Sequence, residues 1–267
     1  MLAKLIVKPG SAARLNKRKT DDHAGLAGKS EAKKHLAKLI EELSILHNRL
    51  YAEAERSLLL VLQGLDASGK DGTIKSVLTG VNPQGCRIVS FKQPSAAELA
   101  HDYLWRLHLA CPERGEMGIF NRSHYEDVVA ARVRGLVPKA VWSRRPHHIR
   151  EFERLLVDEG TTIVKVFLHV SREEQGKRLR ERLADPEKAW KFRRGDLDDR
   201  ARWDEFMRAY DDVIGETSTE WAPWFVIPAD HNWVRNVLVA QILVEALRRI
   251  DPQLPSPEPG LSELEID

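Results

Sequence analysis

Cysteine is scarce in this chain. Cys86 and Cys111 are the two cysteines among 267 residues, too few for a disulfide framework or a cysteine-based metal site. Each is best explained as a small buried hydrophobic residue, and low cysteine content is typical of a reducing compartment. We therefore expect a cytoplasmic protein.

Long apolar runs and a strong excess of charge are also missing. No run approaches the roughly 20 residues that a membrane helix needs, and Leu2–Val7 is too short and too charged for a secretory signal. We therefore expect no membrane association. Lys and Arg number 42 and Asp and Glu 40, so the formal net charge is +2. That balance alone indicates no class of partner, and the distribution of the charges is more informative.

One stretch of the sequence organises the rest. Leu58–Leu62 is an apolar run typical of a buried parallel strand. It leads into Gly64-x-x-x-x-Gly69-Lys70, which has the spacing of a phosphate-binding loop. Glycines let backbone N–H groups close around phosphate oxygens, the following helix start adds a favourable dipole, and Lys70 supplies a point charge. The strand before and the helix after the loop disfavour the alternative of a chance glycine-rich turn.

We expect phosphate contacts along this loop and the first turns of its helix. The candidate residues are Gly64, Ala67, Ser68, Gly69, Lys70, Asp71, Gly72, Thr73 and Lys75.

Two carboxylates set the loop apart. Asp71 stands where a Ser or Thr normally follows the lysine and binds Mg²⁺ through its hydroxyl. A carboxylate in a loop built for anions repels phosphate unless a cation lies between them, so Asp66, and with it Asp71, is a candidate Mg²⁺ ligand. A cap at the helix N-terminus is an equally good role for Asp71.

Strands and helices alternate along the chain. The predicted strands are residues 58–62, 87–91, 117–121, 162–168 and 224–227, and the predicted helices begin near residues 30, 73, 96, 145, 171 and 234. This order predicts an α/β fold, a doubly wound parallel sheet of five strands flanked by helices, with ligands at the carboxyl ends of the strands. The loop, the segment 121–127 and the chain from residue 170 should therefore meet at one edge.

We expect one domain over residues 1–267. Its parts are an N-terminal arm and helix (1–55), a core (56–170 and 211–250) and a helical lid (about 171–210).

The segment Asn121–Asp127 is a second candidate for chemistry. Arg122 binds phosphate in a fork geometry that Lys cannot match. In loop-type kinases a neighbouring strand supplies an acidic residue to the metal, and here Glu126 and Asp127 follow the strand end by one helical turn. Ser123 and Glu126 also have the spacing of a capping box, so a structural strand-to-helix turn is the alternative.

The third candidate is the basic segment from Arg172 to Arg194. Arg178 and Arg182 lie four residues apart, on one helical face. In phosphate-transfer enzymes a mobile lid brings arginines to the transferring group, and beside a phosphate loop the cluster favours that interpretation. The alternative is a solvated face, balanced by acidic residues in the same segment. Nucleic acid binding is a weaker third interpretation, because no recognition motif accompanies the charge.

With these motifs in view, the chain resembles the family 2 polyphosphate kinases from about Lys34 to His231. The resemblance is carried by Gly64–Gly72, by Asn121–Val128, and by Ser171–Gln175 running on to Asp185–Lys191. The Gly-Lys-Asp-Gly departure from the usual loop is a feature of that family. The resemblance implies a P-loop kinase fold similar to thymidylate kinase, with a lid, and reversible phosphoryl transfer between inorganic polyphosphate and nucleotides.

The resemblance also implies roles for individual residues. Asp66 positions metal and phosphate, Lys70 and Arg122 bind phosphates, and the lid supplies Arg178, Arg182 and Lys191. Glu126 is a further candidate catalytic residue, and Tyr125 is a candidate to stack on a base. Many members carry Asp where this chain has Asn121, which leaves open whether Asp127 or only Asp66 completes the metal shell.

The Asn-Arg-Ser-His-Tyr-Glu-Asp version of the motif is similar to the class III subgroup, which is credited with phosphorylating nucleoside monophosphates and diphosphates. The expected function is Mg²⁺-dependent transfer from polyphosphate to AMP or ADP, with Mn²⁺ as a substitute ion and guanine nucleotides as further acceptors. The family also implies a homo-oligomer, a dimer or tetramer. Two alternatives stay open: an ATP-dependent nucleoside monophosphate kinase, which should carry Ser or Thr at position 71, and a non-catalytic polyphosphate-binding protein.

Overall fold

Six strands form one sheet in the computed structural model, which describes residues 2–260. They are β1 (Ile6–Val7), β2 (Ser57–Gln63), β3 (Cys86–Ser90), β4 (Met117–Asn121), β5 (Thr161–His169) and β6 (Trp224–Pro228). Their order across the sheet is β1-β6-β5-β2-β4-β3. Strands β2 to β6 run parallel, and β1 pairs antiparallel with β6.

The predicted α/β fold with a doubly wound parallel sheet is confirmed. The count of five strands is wrong by one, because β1 lies in the segment expected to be an extended arm. That strand is only two residues long, Ile6 paired with Phe225 and Val7 with Trp224. So short a run, flanked by Lys4 and Lys8, has no alternating pattern from which a strand could be predicted.

Helices cover both faces of the sheet. They are α1 (Lys29–Glu53), α2 (Lys70–Val77), α3 (Ala96–Leu99), α4 (Trp105–His108), α5 (Glu126–Val133), α6 (Lys139–Trp142), α7 (Arg145–Asp158), α8 (Arg172–Ala184), α9 (Arg194–Ala201), α10 (Trp203–Thr217) and α11 (Asn232–Ile250). The helix predicted from residue 96 is split into α3 and α4, since Asp102 Oδ1 accepts a hydrogen bond from the Leu104 N–H at 2.9 Å and forms a turn.

Two apolar clusters sandwich the sheet. On one face α11 packs on β5 and β6 and is covered in turn by α1. On the other face α5, α7 and α10 pack together. Every residue of β2 is buried, as expected for a central strand with helices on both sides. Within residues 2–260, none of the helices combines the length and apolar character needed to cross a bilayer.

Helix α10 belongs to this second cluster. The lid predicted over residues 171–210 includes its first half, yet Phe206 and Tyr210 are buried at 3% exposure. The amphipathic pattern of α10 directs these two rings against the sheet, so the core begins again at Trp203. Helices α8 and α9, with a 3₁₀ turn at Ala189–Lys191 between them, form the part of the predicted lid segment that lines a cavity shared with the loop after β2.

Candidate active site

The three segments predicted to meet at the carboxyl edge do meet there. Arg122, which follows β4, donates from Nη2 to Asp66 Oδ1 in the loop after β2 at 2.5 Å. Gln175, in the first turns of α8, donates from Nε2 to the Asp66 carbonyl at 3.0 Å. The segments that follow β2, β4 and β5 therefore meet at the loop that contains Asp66.

A cleft of about 1750 Å³ lies between this edge and the lid helices. Among the predicted site residues, it is lined by Asp66, Ala67, Gly69, Lys70, Asp71, Gly72, Arg122, Glu126, Asp127, Arg178, Arg182 and Lys191. The structure thus brings together most of the candidates from all three motifs.

Lys70 lies at the centre of the loop. Its Nζ donates to the Gly64 carbonyl at 2.6 Å and to the Leu65 carbonyl at 3.2 Å. Burial of the ammonium, together with the nearby charge of Arg122, lowers the pKa of Lys70 to about 8. A lysine so poorly hydrated gains strongly from an anion placed beside it.

Asp66, Arg122 and Glu126 form a charged group beside Lys70. Burial opposes ionisation of Asp66, but the charges of Arg122 and Lys70 keep its pKa below the ordinary value. Burial raises the pKa of Glu126 despite the same cations. Glu126, against the cost of burial, raises the pKa of Arg122. Arg122 is thus ion-paired with Asp66, whose charged form is favoured, and is influenced by Glu126, which is costly to ionise.

The backbone of Arg122 is strained. Its φ is +63°, in the left-handed region that residues other than glycine seldom occupy. Its N–H donates to the Leu62 carbonyl at 3.1 Å, which ties the strand end of β4 to β2. Strain of this kind persists where the surrounding structure fixes it and is concentrated at functional sites.

Gln63 connects this group to the core, and sequence reasoning missed it. In the orientation that satisfies its neighbours, the Gln63 amide donates to Glu126 Oε1 at 3.0 Å and accepts from the Ser123 N–H at 3.0 Å. It thereby positions Glu126 from the end of β2. The available signal was a polar residue that closes an apolar strand, since buried polar side chains need a specific partner.

Arg178 does not extend into the cleft as a free cation. Its Nη1 donates to the carbonyls of Ala67 and Ser68, both at 3.1 Å, and its Nη2 to those of Ala229 and Asp230 at 2.7 and 2.8 Å. Its Nε donates to a glutamate one turn earlier on α8. All five N–H donors are therefore used, and the predicted catalytic arginine fastens the phosphate loop to the loop after β6. Arg182 is less constrained, with Nη1 3.8 Å from Asp196 Oδ2.

Arg235 fastens the same loop from α11. It is 4% exposed and donates from Nη1 to the Ser68 carbonyl at 3.3 Å. Burial and the adjacent charge of Arg178 lower its pKa to about 10. Gly69 has a φ of +103°, and a Cβ there would lie 2.0 Å from Arg235 Nη1. The glycine is required by this close approach as well as by its backbone angle.

Asp71 neither caps α2 nor points at Lys70. Its Oδ1 accepts from Asn121 Nδ2 at 2.8 Å, and its Oδ2 lies 3.5 Å from Lys191 Nζ of the lid. Helix α2 has Gly69 as its N-cap, without a side-chain hydrogen bond. The cap alternative for Asp71 is therefore wrong.

Arg134 is a second missed residue of the cleft. It donates from Nε to Asp199 Oδ1 at 3.0 Å and from Nη2 to Oδ2 at 2.5 Å, which joins the end of α5 to α9 of the lid. Because Arg134 follows Glu126 by eight residues, the helical repeat places the two on one face of α5. That spacing was the signal in the sequence.

Five predicted binding residues lie outside the cleft lining: Gly64, Ser68, Thr73, Lys75 and Tyr125. Lys75 is on the solvent face of α2. Thr73 is buried and its Oγ1 donates to the Gly69 carbonyl at 3.1 Å. Ser68 is fully buried, and a Cβ on Gly64 would lie 2.6 Å from its hydroxyl. The buried side chains of Thr73 and Ser68 thus pack within and behind the loop.

The proposal that Tyr125 stacks on a base is wrong. Tyr125 is 0% exposed, and its hydroxyl donates to Glu153 Oε1 at 2.7 Å. Glu153 also accepts from Lys165 Nζ at 2.5 Å and lies 3.2 Å from a ring nitrogen of His124. The motif after β4 therefore has an ionic network beneath it, and Tyr125 is part of that support.

Asp66 fits a Mg²⁺ site better than Asp127 does. Within residues 2–260, no group of three or more His, Cys, Asp and Glu side chains has the arrangement of a metal centre. Mg²⁺ bound with phosphates needs only one or two carboxylates, and Asp66 is ionised and faces the cleft beside Lys70. Asp127 lies 3.3 Å from Arg106 Nη2, and burial raises its pKa.

Comparisons with known proteins cover this whole region. A family model described as polyphosphate kinase 2 (PPK2) matches residues 27–255. The chain is 53% identical over 267 residues to an AMP/ADP-polyphosphate phosphotransferase of Meiothermus ruber, with 100% of both chains covered. It is 44% identical over 246 residues to an ADP-polyphosphate phosphotransferase of Rhodopseudomonas palustris, covering 86% of this chain and 85% of the relative. The crystal structure of polyphosphate kinase 2 from Arthrobacter aurescens TC1 superposes with a TM-score of 0.93 at 40% identity, covering 97% of this chain and 93% of that one.

Proposed function

The chain belongs to the polyphosphate kinase 2 family, and on that premise we propose that it transfers phosphoryl groups between inorganic polyphosphate and adenine nucleotides. The two reactions are AMP to ADP and ADP to ATP. The observation that carries the proposal is the convergence of Lys70, Asp66 and Arg122 in one cleft beneath a basic lid.

Phosphoryl transfer depends on positioning of the reactants and neutralisation of their charge more than on covalent catalysis by the protein. Phosphoryl transfer spreads negative charge over the oxygens of the moving group, and fixed cations stabilise that charge. Lys70 and Arg122 lie on one side of the cleft, and Arg182 and Lys191 approach from the lid. The donor and acceptor phosphates are thereby brought in line without any covalent intermediate on the protein.

Glu126 acts on Arg122 in this proposal. Its carboxylate raises the pKa of Arg122 and is itself held by the Gln63 amide. It fixes the direction of the guanidinium, whose backbone is already strained. Glu126 is therefore assigned to orientation, and Arg122 to contact with phosphate.

Mg²⁺ is the proposed metal, with Mn²⁺ as a substitute. A bound ion would supply positive charge that neutralises phosphate oxygens. Asp66 would hold it, because that carboxylate is ionised and next to Lys70 and Arg122. Asp127 stays a weaker candidate at the Arg106 side of the cleft.

The direct test is incubation of the purified protein with ADP, polyphosphate and Mg²⁺, without ATP. We expect ATP to form, and ADP to form when AMP replaces ADP; GMP and GDP test whether guanine nucleotides are accepted. Chelation of the metal should abolish both reactions, and added Mn²⁺ should restore them. Absence of ATP from the complete mixture would contradict the proposal.

The same mixture separates the two alternatives. An ATP-dependent nucleoside monophosphate kinase would need ATP as donor, and a binding protein would retain polyphosphate without turnover. The position that an ATP-dependent kinase fills with Ser or Thr is Asp71 here, engaged with Asn121. The lack of a hydroxyl at position 71 disfavours an ATP-dependent nucleoside monophosphate kinase.

Location and assembly complete the proposal. We infer a cytoplasmic protein, supported by the free thiols of Cys86 and Cys111. We also infer a dimer or tetramer, supported by the sheet edge at β3, where Ile88 is 51% exposed. Light scattering after size-exclusion chromatography measures the assembly, and a monomer at working concentration would contradict it.

A further inference from the structure

The N-terminal arm carries a charge excess that the cleft does not explain. Residues 1–20 contain six Lys or Arg and no Asp or Glu, although the whole chain has a net charge of only +2. Without the arm the chain would therefore be slightly acidic. The six cations are Lys4, Lys8, Arg14, Lys17, Arg18 and Lys19.

Five of these cations line a groove of about 710 Å³ in the arm, together with small and apolar residues. Lys8, Arg14 and Lys17 are exposed there. Within residues 2–260, the ion pairs do not include any of these three side chains. The groove thus presents a set of positive charges that the protein itself does not neutralise.

Arg18 fixes the shape of this groove. Its guanidinium donates to the carbonyls of Ala13 at 2.9 Å, Lys4 at 3.1 Å, Leu5 at 3.2 Å and Ile6 at 3.3 Å. The arm is also fastened to the core, because the Leu15 N–H donates to Asp211 on α10 at 2.6 Å. A backbone fixed in this way presents its cations in a preset arrangement, which lowers the entropy cost of binding an anion.

The arm leads from the groove to the phosphate cleft. Thr20 donates from Oγ1 to Asp230 Oδ2 at 2.7 Å, and the Asp230 N–H donates to the Thr20 carbonyl at 3.0 Å. The next residues along the arm reach the cleft itself, where Asp21 and Lys29 are lining residues. The arm is therefore continuous from the groove to the cleft, and a flexible polyanion that bridges the two would pass the carboxylates of Asp21 and Asp230.

We propose that the groove is a second binding site for the polyphosphate chain, outside the cleft, with Lys8, Arg14 and Lys17 as its contacts. The inference rests on the proposed function, since it assumes a polyphosphate substrate. A chain contained within the cleft does not touch these residues, whereas a long chain occupies both sites at once. The groove acts as a tether that raises the affinity for long chains and does not contact the transferring phosphoryl group.

The test compares the triple variant Lys8→Ala, Arg14→Ala, Lys17→Ala with the parent protein, using long-chain and short linear polyphosphate as donors and ADP as acceptor. We expect the KM for the long donor to rise about tenfold, while kcat and the KM for the short donor stay unchanged. The slope of log KM against log salt for the long donor should fall by about 2, roughly 0.7 for each lost cation on a flexible polyanion.

A matched control removes three exposed cations elsewhere: Lys38→Ala, Arg114→Ala and Arg249→Ala. It changes the net charge equally and should leave the KM for both donors unchanged. An equal rise for long and short donors, no rise for either, or the same rise in the control would overturn the proposal. Unchanged thermal melting of both variants is expected, since all six side chains are exposed.

Direct binding of fluorescently labelled long-chain polyphosphate separates this inference from the proposed function. Failure of the parent protein to turn over either donor would refute the proposed function alone. The groove is then judged by the binding measurement, in which the triple variant should lose about tenfold in affinity and the control should lose none. Unchanged affinity in the triple variant would refute the groove.

Discussion

Asp71 and Asn121, which both line the cleft, are hydrogen-bonded to each other, with Asn121 Nδ2 donating to Asp71 Oδ1 at 2.8 Å. Each is a departure from its own motif, a carboxylate where a hydroxyl is usual and an amide where a carboxylate is common. The two departures are complementary. A carboxylate at both positions would place like charges in contact, which costs free energy unless one of them is protonated or a cation lies between them.

We therefore predict that substitutions of Asp71 and Asn121 have coupled, non-additive effects on activity. Asn121→Asp should raise the pKa of Asp71, which the Asn121 amide now helps to lower against the cost of burial, and should reduce kcat/KM for polyphosphate about tenfold. The double variant Asp71→Asn, Asn121→Asp restores one amide and one carboxylate and should recover most of the loss. Kinetics of both single variants and the double variant measure the coupling, expected at about 1–2 kcal/mol. If the losses in kcat/KM of the two single variants simply add in the double variant, the contact does not contribute to activity.

Removal of the loop charges should abolish transfer without unfolding the protein. Lys70→Ala and Asp66→Asn are each expected to lower kcat about a hundredfold to a thousandfold, the loss typical of one charge-stabilising group. Lys75→Ala is the control, since that lysine is exposed on the same helix and lies outside the cleft lining. Circular dichroism and thermal melting establish folding. Near-normal turnover in Lys70→Ala or Asp66→Asn would contradict the assignment of the site.

The titration of Lys70 predicts a fall in activity at alkaline pH. With its pKa at about 8, the free enzyme carries the ammonium charge below that pH and loses it above, so kcat/KM for polyphosphate should decline as pH rises through 8. Bound phosphates favour the charged form and raise this pKa, so kcat should persist to higher pH than kcat/KM does. Initial rates between pH 6.5 and roughly 10 at fixed ionic strength measure both profiles. A kcat/KM that stays flat above pH 9 would contradict the prediction.

Arg178 and Arg182 are predicted to fail in different ways. Arg178→Ala removes the arginine donor of the Ala67, Ala229 and Asp230 carbonyls and one of the two donors of the Ser68 carbonyl. We expect a loss of about 2–3 kcal/mol in the free energy of unfolding together with a lower kcat. Arg182→Ala removes a cation whose side chain is 25% exposed and whose ion pair is long at 3.8 Å, and should change stability by less than about 0.5 kcal/mol, while kcat falls at least about tenfold. Urea unfolding and steady-state kinetics of the two variants give the comparison. A fully stable Arg178→Ala protein would show that this arginine serves the substrate and not the loop.

The ionic network under the motif after β4 predicts that one substitution lowers the free energy of unfolding strongly and that a second substitution restores it. Lys165 is fully buried, with Nζ 2.5 Å from Glu153 Oε2 and 2.7 Å from the Thr217 carbonyl. Lys165→Met leaves Glu153 without its partner and should cost about 3–5 kcal/mol. Adding Glu153→Gln removes the stranded charge and should return most of that stability. Urea unfolding measures both, and a double variant no more stable than the single would contradict the ionic explanation.

The elements that the sequence predicted well are those whose signal is local. The bounds predicted for β4 are those observed, and α7 begins at the predicted residue, because an apolar run and a helical repeat each fit within one element. The loop after β2 was equally predictable, since its glycines and lysine are consecutive. In these segments pattern, propensity and chemistry agree.

The parts that could not be predicted depend on which way a side chain points after folding. Arg178 at its helical position is compatible with a contact to phosphate or to carbonyls, and the choice is made by the loop after β6, fifty residues away along the chain. Tyr125 is compatible with a stacking face or a buried hydroxyl, and Glu153 on α7 decides it. Gln63 closes an apolar strand and Arg235 lies in a largely apolar helix, and neither belongs to a recognised motif. Such residues are identified only once their partners are known.

The arginines behind the phosphate loop act through the geometry of the peptide group. A planar trans peptide directs its carbonyl and its N–H in opposite directions. A donor that hydrogen-bonds to the oxygen therefore also fixes the direction of the N–H in the same peptide group. Arg178 and Arg235 both hold the Ser68 carbonyl, which turns the amide hydrogen of Gly69 the other way. Through these contacts with a carbonyl, the two cations set the direction of an amide hydrogen in the phosphate loop.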